Sequence, residues 1–314
     1  LLINLFSILV KRFLDKSNAY LELRTLLDRL IEKQTRMNEV ATVPESSKGS
    51  YTVEEYADSA GEIERLRQQA RGGFALEKSI YDRLNFGQAS RILDAGCGPG
   101  FVAMEVATAY KPALLHGVDL SQTLIDIALR EHLSPPGTEL RFQTGSIYEL
   151  PLENDFYDLA YSRFVFQHLE QPQTALRSMK DKVRPGGTVI IEDIDDGMLF
   201  LEPAPAGYER LQENAERVQE SLGGNRRIGR ELRSLLVAGG LTGVSLKVLS
   251  VTSKLIGMKA FIDLAFGFKF DHLKRAGATE QEVEEIRSNF YALVDQPEAY
   301  GMLLVFFASG KKPV

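Results

Sequence analysis

Gly96, Gly98 and Gly100 follow a short apolar run that ends in Asp94, and Asp119 ends the next such run. Glycines let backbone approach a ligand with no side chain in the way. An acidic side chain about twenty residues past such a turn can accept both hydroxyl protons of a ribose. A second set of reactive residues gathers near the ends of two later apolar runs: Ser162, Arg163, Gln167, His168, Glu192, Asp193 and Asp195. His168 is the best general base among them, because imidazole titrates near neutral pH; its alternative role is capping or packing. Arg163 can hold an anionic or carbonyl part of a substrate, or pair with Glu192.

These residues need a frame, and the chain around them alternates strand and helix patterns. Arg91 to Leu93 reads as a strand. Phe101 to Tyr110 reads as a helix with Val102, Ala103, Val106 and Ala107 inward. Leu114 to Val118 reads as the next strand, so the glycine bend and Asp119 both fall at the ends of strands in a parallel sheet.

The glycine spacing bears on the ligand. The dinucleotide fingerprint is G-x-G-x-x-G, its third glycine permitting close helix–strand packing. Phe101 occupies that third position here, and the pattern is D-x-G-x-G-x-G. Asp94 beside the bend suits a ligand that carries a cation and an amine, whereas a pyrophosphate reader leaves the helix N-terminus open to anionic charge. The spacing therefore points away from NAD and toward S-adenosylmethionine.

Four blocks then carry a family resemblance: Asp94-Ala95-Gly96-Cys97-Gly98-Pro99-Gly100, Val118-Asp119-Leu120-Ser121, Phe156-Tyr157-Asp158-Leu159-Ala160-Tyr161-Ser162-Arg163, and Val183 to Ile191. Residues from roughly 74 to 197 resemble a class I S-adenosylmethionine-dependent methyltransferase of the small-molecule type, similar to ubiquinone/menaquinone-biosynthesis and natural-product enzymes. The resemblance implies an α/β fold: a doubly wound, mostly parallel seven-stranded sheet, the last strand antiparallel, with a helical N-terminal extension and helical lid insertions. It implies that Asp94, Gly96, Cys97, Gly98, Gly100, Asp119, Leu120 and Ser162 line the cofactor site, Cys97 as a small packing residue. After the third strand the family usually has Gly-Asp-Ala, whose carboxylate takes the adenine amine; this chain has Gly145-Ser146-Ile147. That contact then falls to the Ser146 hydroxyl, with backbone near Ile147 meeting the ring. A helix within 51–73 would cover the cofactor, with Tyr56 and Gln69 at its methionine end.

Composition narrows the function classes. The net charge of -6 gives no basic footprint for nucleic acid. Apolar content of 44% is ample for a core. The single cysteine excludes an internal disulfide and fits a reducing, cytoplasmic compartment. The acid run Glu192-Asp193-Ile194-Asp195-Asp196 invites a magnesium reading, but a cation beside Arg163 is unfavourable, and no metal site is expected.

Five segments follow. Residues 1–38 read as a helical extension that packs on its own domain, forms a homodimer contact or docks an adjacent domain; its first apolar run is too short to span a membrane. Residues 39–50 have linker composition, 51–73 form the covering helix, and 74–197 the cofactor-binding core. Residues 198–314 carry a substrate lid, where Met258, Phe261, Ile262, Phe266, Phe268, Phe270 and His272 suggest the wall of an apolar pocket or plain core packing. The expected activity is methylation of an oxygen or carbon on an apolar small molecule, in secondary metabolism and within a larger biosynthetic assembly. The alternatives are a non-methylating step such as cyclisation on the same fold, or a non-catalytic docking module.

Overall fold

Strand β1 (Arg91–Ala95) lies between two parallel neighbours that follow it in different directions across the sheet: β2 (Leu114–Asp119) on one side and β4 (Tyr157–Arg163) on the other. A computed structural model of the protein describes residues 59–84 and 86–314. The helical extension expected over 1–38, the linker at 39–50 and Tyr56 lie outside the described residues.

Beyond β2 comes β3 (Glu139–Thr144), and beyond β4 comes β5 (Val183–Ile194), both parallel. The crevice at the C-terminal ends of β1 and β4 is therefore a switch point, where open α/β sheets receive ligands. The central strands read as continuous apolar runs because helices cover both faces: Ile92, Leu93, Ala95, Leu115, Ala160 and Ile191 are fully buried. Between β1 and β2 runs α2 (Phe101–Tyr110), which buries Phe101, Ala103, Val106 and Ala107. After β2 comes α3 (Gln122–Glu131), capped by the Ser121 side chain, which accepts from the Leu124 N–H. Helix α4 (Pro172–Lys182) begins with proline, whose missing N–H costs nothing in a first turn.

The C-terminal half closes the sheet with antiparallel strands. Strand β8 (Tyr300–Lys311) pairs with β5 along one edge and with β7 (Thr242–Thr252) along the other. A short strand not anticipated from the sequence, β6 (Phe200–Glu202), continues the β5 edge of β8, making eight strands among the described residues. Between these strands lie α5 (Tyr208–Ser221), α6 (Leu232–Ala238), α7 (Ser253–Ile256), α8 (Met258–Arg275) and α9 (Glu280–Tyr291).

One expected boundary moves, and one open alternative narrows. Helix α1 spans Ser59–Arg83, so it passes through the boundary expected at residue 73 and buries Phe74, Glu77, Ile80 and Tyr81 against the sheet. The aromatic run of α8 is mostly core: Phe261, Phe266 and Phe270 are fully buried, and Phe266 and Phe270 meet Phe290 of α9 edge-on at 5.0 and 5.5 Å. Phe268 points elsewhere and meets His272 at 5.4 Å.

Candidate active site

The bend after β1 is built by three left-handed glycines, Gly96 at φ 84°, Gly98 at φ 54° and Gly100 at φ 74°. They serve different ends. A Cβ on Gly96 would lie 2.4 Å from Val165, so that glycine admits close packing. A Cβ on Gly98 would meet nothing within 4 Å, so its bare side faces open space where a ligand can come against backbone. The bend is tied to β2 by the Gly96 and Cys97 N–H groups, which donate to Val118 O at 2.7 and 3.1 Å.

Asp119 ends β2 beside that bend. One carboxylate oxygen accepts the Gly98 N–H at 2.8 Å, and the other accepts the Ser121 N–H at 2.9 Å. The backbone thus holds the carboxylate in place at the strand end, where an acid about twenty residues past a glycine turn can take the hydroxyls of a ribose. The turn after β3 joins the same edge, since the Gly145 N–H donates to Asp119 O at 2.9 Å. This brings Leu120, Ser146 and Ile147 alongside. Ser146 accepts from the Tyr148 N–H at 3.2 Å, which leaves its own hydroxyl hydrogen to donate. The first half of α1 lies over this edge. Arg67 stacks over Phe101 at 4.3 Å and pairs with Glu131 at 2.7 Å, and Gln69 sits half-buried on the same helix, accepting from Arg65 at 3.2 Å.

Four of the expected residues are held by protein partners in the structure. Ser162 is fully buried and donates to Ala95 O at 2.7 Å, so it clamps β4 to β1 instead of facing a ligand. Asp94 is buried and accepts the Tyr161 hydroxyl at 2.5 Å; burial pushes its carboxyl up to about 7. Cys97 packs at the bend, its thiol 3.5 Å from Gly98 O. Arg163 is held by two carboxylates, with Glu77 at 2.7 Å and Glu192 at 3.1 Å. Tyr81 donates to Glu192 and lies 3.1 Å from Glu77. Burial, with Glu77 close by, drives the Glu192 carboxyl well up. The geometry thus favours the ion-pair role of Arg163 over substrate contact, and the network pins α1 to the ends of β4 and β5. Sequence reasoning missed Glu77 and Tyr81, although their i, i+4 spacing on one helix face was there to read.

His168 lies in the 3-10 turn Phe166–His168 after β4. The Gln219 amide nitrogen donates to both Gln167 O, at 2.8 Å, and His168 Nδ1, at 3.0 Å. A carbonyl partner fixes the amide orientation, so Nδ1 is the accepting nitrogen and the ring hydrogen sits on Nε2. Burial, followed by Arg226, His272 and Arg65, pulls the imidazole down to about 3. A ring held so far down is a weak base, which favours the packing alternative for His168 over the general-base one.

The acid run is spoken for. Asp193 accepts the Gln167 N–H at 2.9 Å, Asp195 pairs with Arg230, and Asp196 with Arg226 and Lys269. Among the described residues, no group of three His, Cys, Asp or Glu could hold a metal, and no helix is long and apolar enough to cross a membrane.

Residues 93–191 match the family described as methyltransferase domain. An O-methyltransferase of Pyrenophora dematioidea is 30% identical over 148 residues, covering 43% of this chain and 55% of that one. Methyltransferase str2 of Strobilurus tenacellus is 27% identical over 243 residues, covering 73% and 85%. The ubiquinone/menaquinone biosynthesis C-methyltransferase UbiE of Syntrophotalea carbinolica is 36% identical over 103 residues, covering 33% and 43%. The chain spans about half the length of the first curated relatives it matches. The glycine bend, the acid at the end of β2 and strands β2 to β4 of the sheet all lie within this methyltransferase-domain match at 93–191.

Proposed function

We propose that the protein transfers the methyl group of S-adenosylmethionine to an oxygen or carbon of an apolar small molecule, in cytoplasmic secondary metabolism. The observation that carries this reading is the Asp119 carboxylate held 2.8 Å from the Gly98 N–H, beside backbone whose other side is open. The O-methyltransferase relative supports an oxygen acceptor, and UbiE a carbon one. When bound, the cofactor supplies a methyl on a positively charged sulfur, so the protein's work is mostly positioning and the exclusion of water.

In this reading Asp119 takes the ribose hydroxyls, Ser146 donates to the adenine ring, and Gly96 to Gly100 line the methionine side. Helix α1, with Gln69, covers the cofactor, and Tyr56 belongs to the same cover. His168 lies beside the acceptor with its ring held by Gln219, and Arg163 positions the ends of β4 and β5 through Glu77 and Glu192. Residues 198–314 form the lid over the acceptor, and residues 1–38 dock a second subunit or a neighbouring domain. The test is to incubate purified protein with S-adenosylmethionine and a panel of phenolic and enolic acceptors. S-adenosylhomocysteine should accumulate in step with methylated product. Acceptor conversion without it would replace methylation by a cyclisation-type step.

A further inference from the structure

Beyond the ends of β4 and β5 lies a buried polar cluster to which the proposed methyl transfer gives no role. The turn at 225–226 is stitched to both strand ends: the Asn225 N–H donates to Gln167 O at 2.8 Å, and the Asp196 N–H donates to Arg226 O at 2.9 Å. This sets the Arg226 guanidinium, 5% exposed, under the lid formed by α5 and α8. Its Nε donates to Asp196, the only side-chain hydrogen bond it makes among the described residues, and its plane stacks over Phe268 at 4.5 Å. The same Asp196 oxygen takes Lys269, fully buried, at 2.8 Å, and Lys269 also donates to Gln212.

Two buried cations therefore share one carboxylate, while Asp193 behind them is occupied by the N–H groups of Gln167 and Ile194, each at 2.9 Å. His168 and His272 complete the cluster as neutral rings. His272 is 8% exposed, and its Nδ1 is a buried polar atom with no hydrogen-bond partner. Orphaned atoms of this kind are rare in folded proteins and need an explanation.

We propose that Arg226 and His272 form a subsite for a carboxylate on the acceptor molecule. The two terminal nitrogens of Arg226 present the planar fork that matches a carboxylate, and Phe268 holds that fork in plane. His272 supplies a neighbouring polar atom whose hydrogen-bonding capacity is unmet, and Lys269 adds the charge that Asp196 alone does not balance. The site sits beside His168, at the strand ends where the proposed function places the acceptor, and the inference rests on that reading for its role in substrate choice. It makes the acceptor amphipathic: an apolar body with an acid at one end.

The test titrates 4-hydroxybenzoate and its neutral counterpart 4-hydroxybenzamide into protein saturated with S-adenosylhomocysteine, following the ring signals of isotope-labelled histidines by NMR. The acid should bind at least tenfold more tightly than the amide and should move the His272 and His168 signals. Arg226→Gln, and Arg226→Lys, which keeps charge without the fork, should erase the preference while S-adenosylhomocysteine affinity stays within about twofold. Equal binding of acid and amide, no movement of the His272 signal, or a preference that survives both variants would overturn the subsite. The wild-type titration decides the matter alone if neither variant folds. Should S-adenosylhomocysteine fail to bind, the methyltransferase reading falls, and the same titration without it still reports on the carboxylate.

Discussion

Arg163 is one guanidinium between two carboxylates, its side chain 10% exposed and theirs 3% and 2%. Removing it would leave two buried acids and the Tyr81 hydroxyl with no cation, and breaking a buried pair in this way costs about 3–5 kcal/mol. Arg163→Met should lower stability by that amount in urea melts, and Glu77→Gln by less, because Arg163 keeps Glu192. A loss under about 1 kcal/mol for Arg163→Met would contradict the network. His168 makes a different prediction. With its ring held at about 3 by burial and neighbouring cations, the pH–rate profile should show no break near 6.5, the ordinary histidine value. His168→Ala should lower turnover by about tenfold, the worth of one hydrogen bond. A general base would give about a hundredfold or more. The sequence could nominate His168 for its type and place in the chain. It could not show that Gln219, distant in sequence, would occupy Nδ1.

At the level of elements, the glycine bend shows what a sequence can and cannot tell. Helix α2 is legible to its bounds, because its apolar spacing is helical and glycine precedes it, although Phe101 is buried in place of the expected Val102. The left-handed turn before it is legible for the same reason. The split of labour among the glycines is not legible, since it depends on Val165, a residue from another strand's end. Gly96→Ala should destabilise the fold strongly, as its Cβ meets Val165 at 2.4 Å. Gly98→Ala has room for its Cβ and should cost only the left-handed backbone penalty, roughly 1–2 kcal/mol, while cofactor affinity falls at least tenfold through loss of the open side. Equal stability losses for the two variants, with cofactor binding intact in Gly98→Ala, would reverse the assignment. The length of α1 and the inward turn of most α8 aromatics escape the sequence for a shared reason. An amphipathic pattern tells which face is buried but not what it is buried against. The acid run at 192–196 has the same limit: apart from nearby backbone N–H groups, its carboxylates divide among α1, the end of β4 and the turn after it, the 223–231 turns and α8, and no local spacing encodes those partners.

For the whole molecule, the sheet is the most legible feature, because the apolar runs ending in Asp94, Asp119 and Arg163 can be served only by parallel strands with their reactive ends together. The C-terminal segment after β5 is the least legible, as its buried polar groups come from residues far apart in sequence. Those groups also set the response to pH. His168, His272 and His116 are held neutral by burial down to about 3, 4 and 4, whereas the unfolded chain protonates histidine near 6.5. Their contribution to stability is present above that value and is lost as pH falls toward 3–4. Asp94 and Asp193 act oppositely. Burial raises both to about 7, so the folded state keeps protons that the unfolded chain has released, and their contribution fades as pH rises from about 4 to 7. Denaturation midpoints should therefore decline on both sides of a mildly acidic maximum, and Asp94→Asn should flatten the neutral limb. A neutral limb as steep in Asp94→Asn as in the wild type would remove Asp94 as its source.

The central claim is that the hollow between the glycine bend and the end of β2 grips an adenosyl ligand by its ribose. Calorimetric titration of S-adenosylhomocysteine into wild-type protein and Asp119→Ala tests it most directly. The variant should bind more weakly by roughly 1–3 kcal/mol, the cost of a ribose diol left without its acceptor, with NADH giving no heat in either protein. Unchanged affinity in Asp119→Ala, or saturable binding of NADH, would contradict the account.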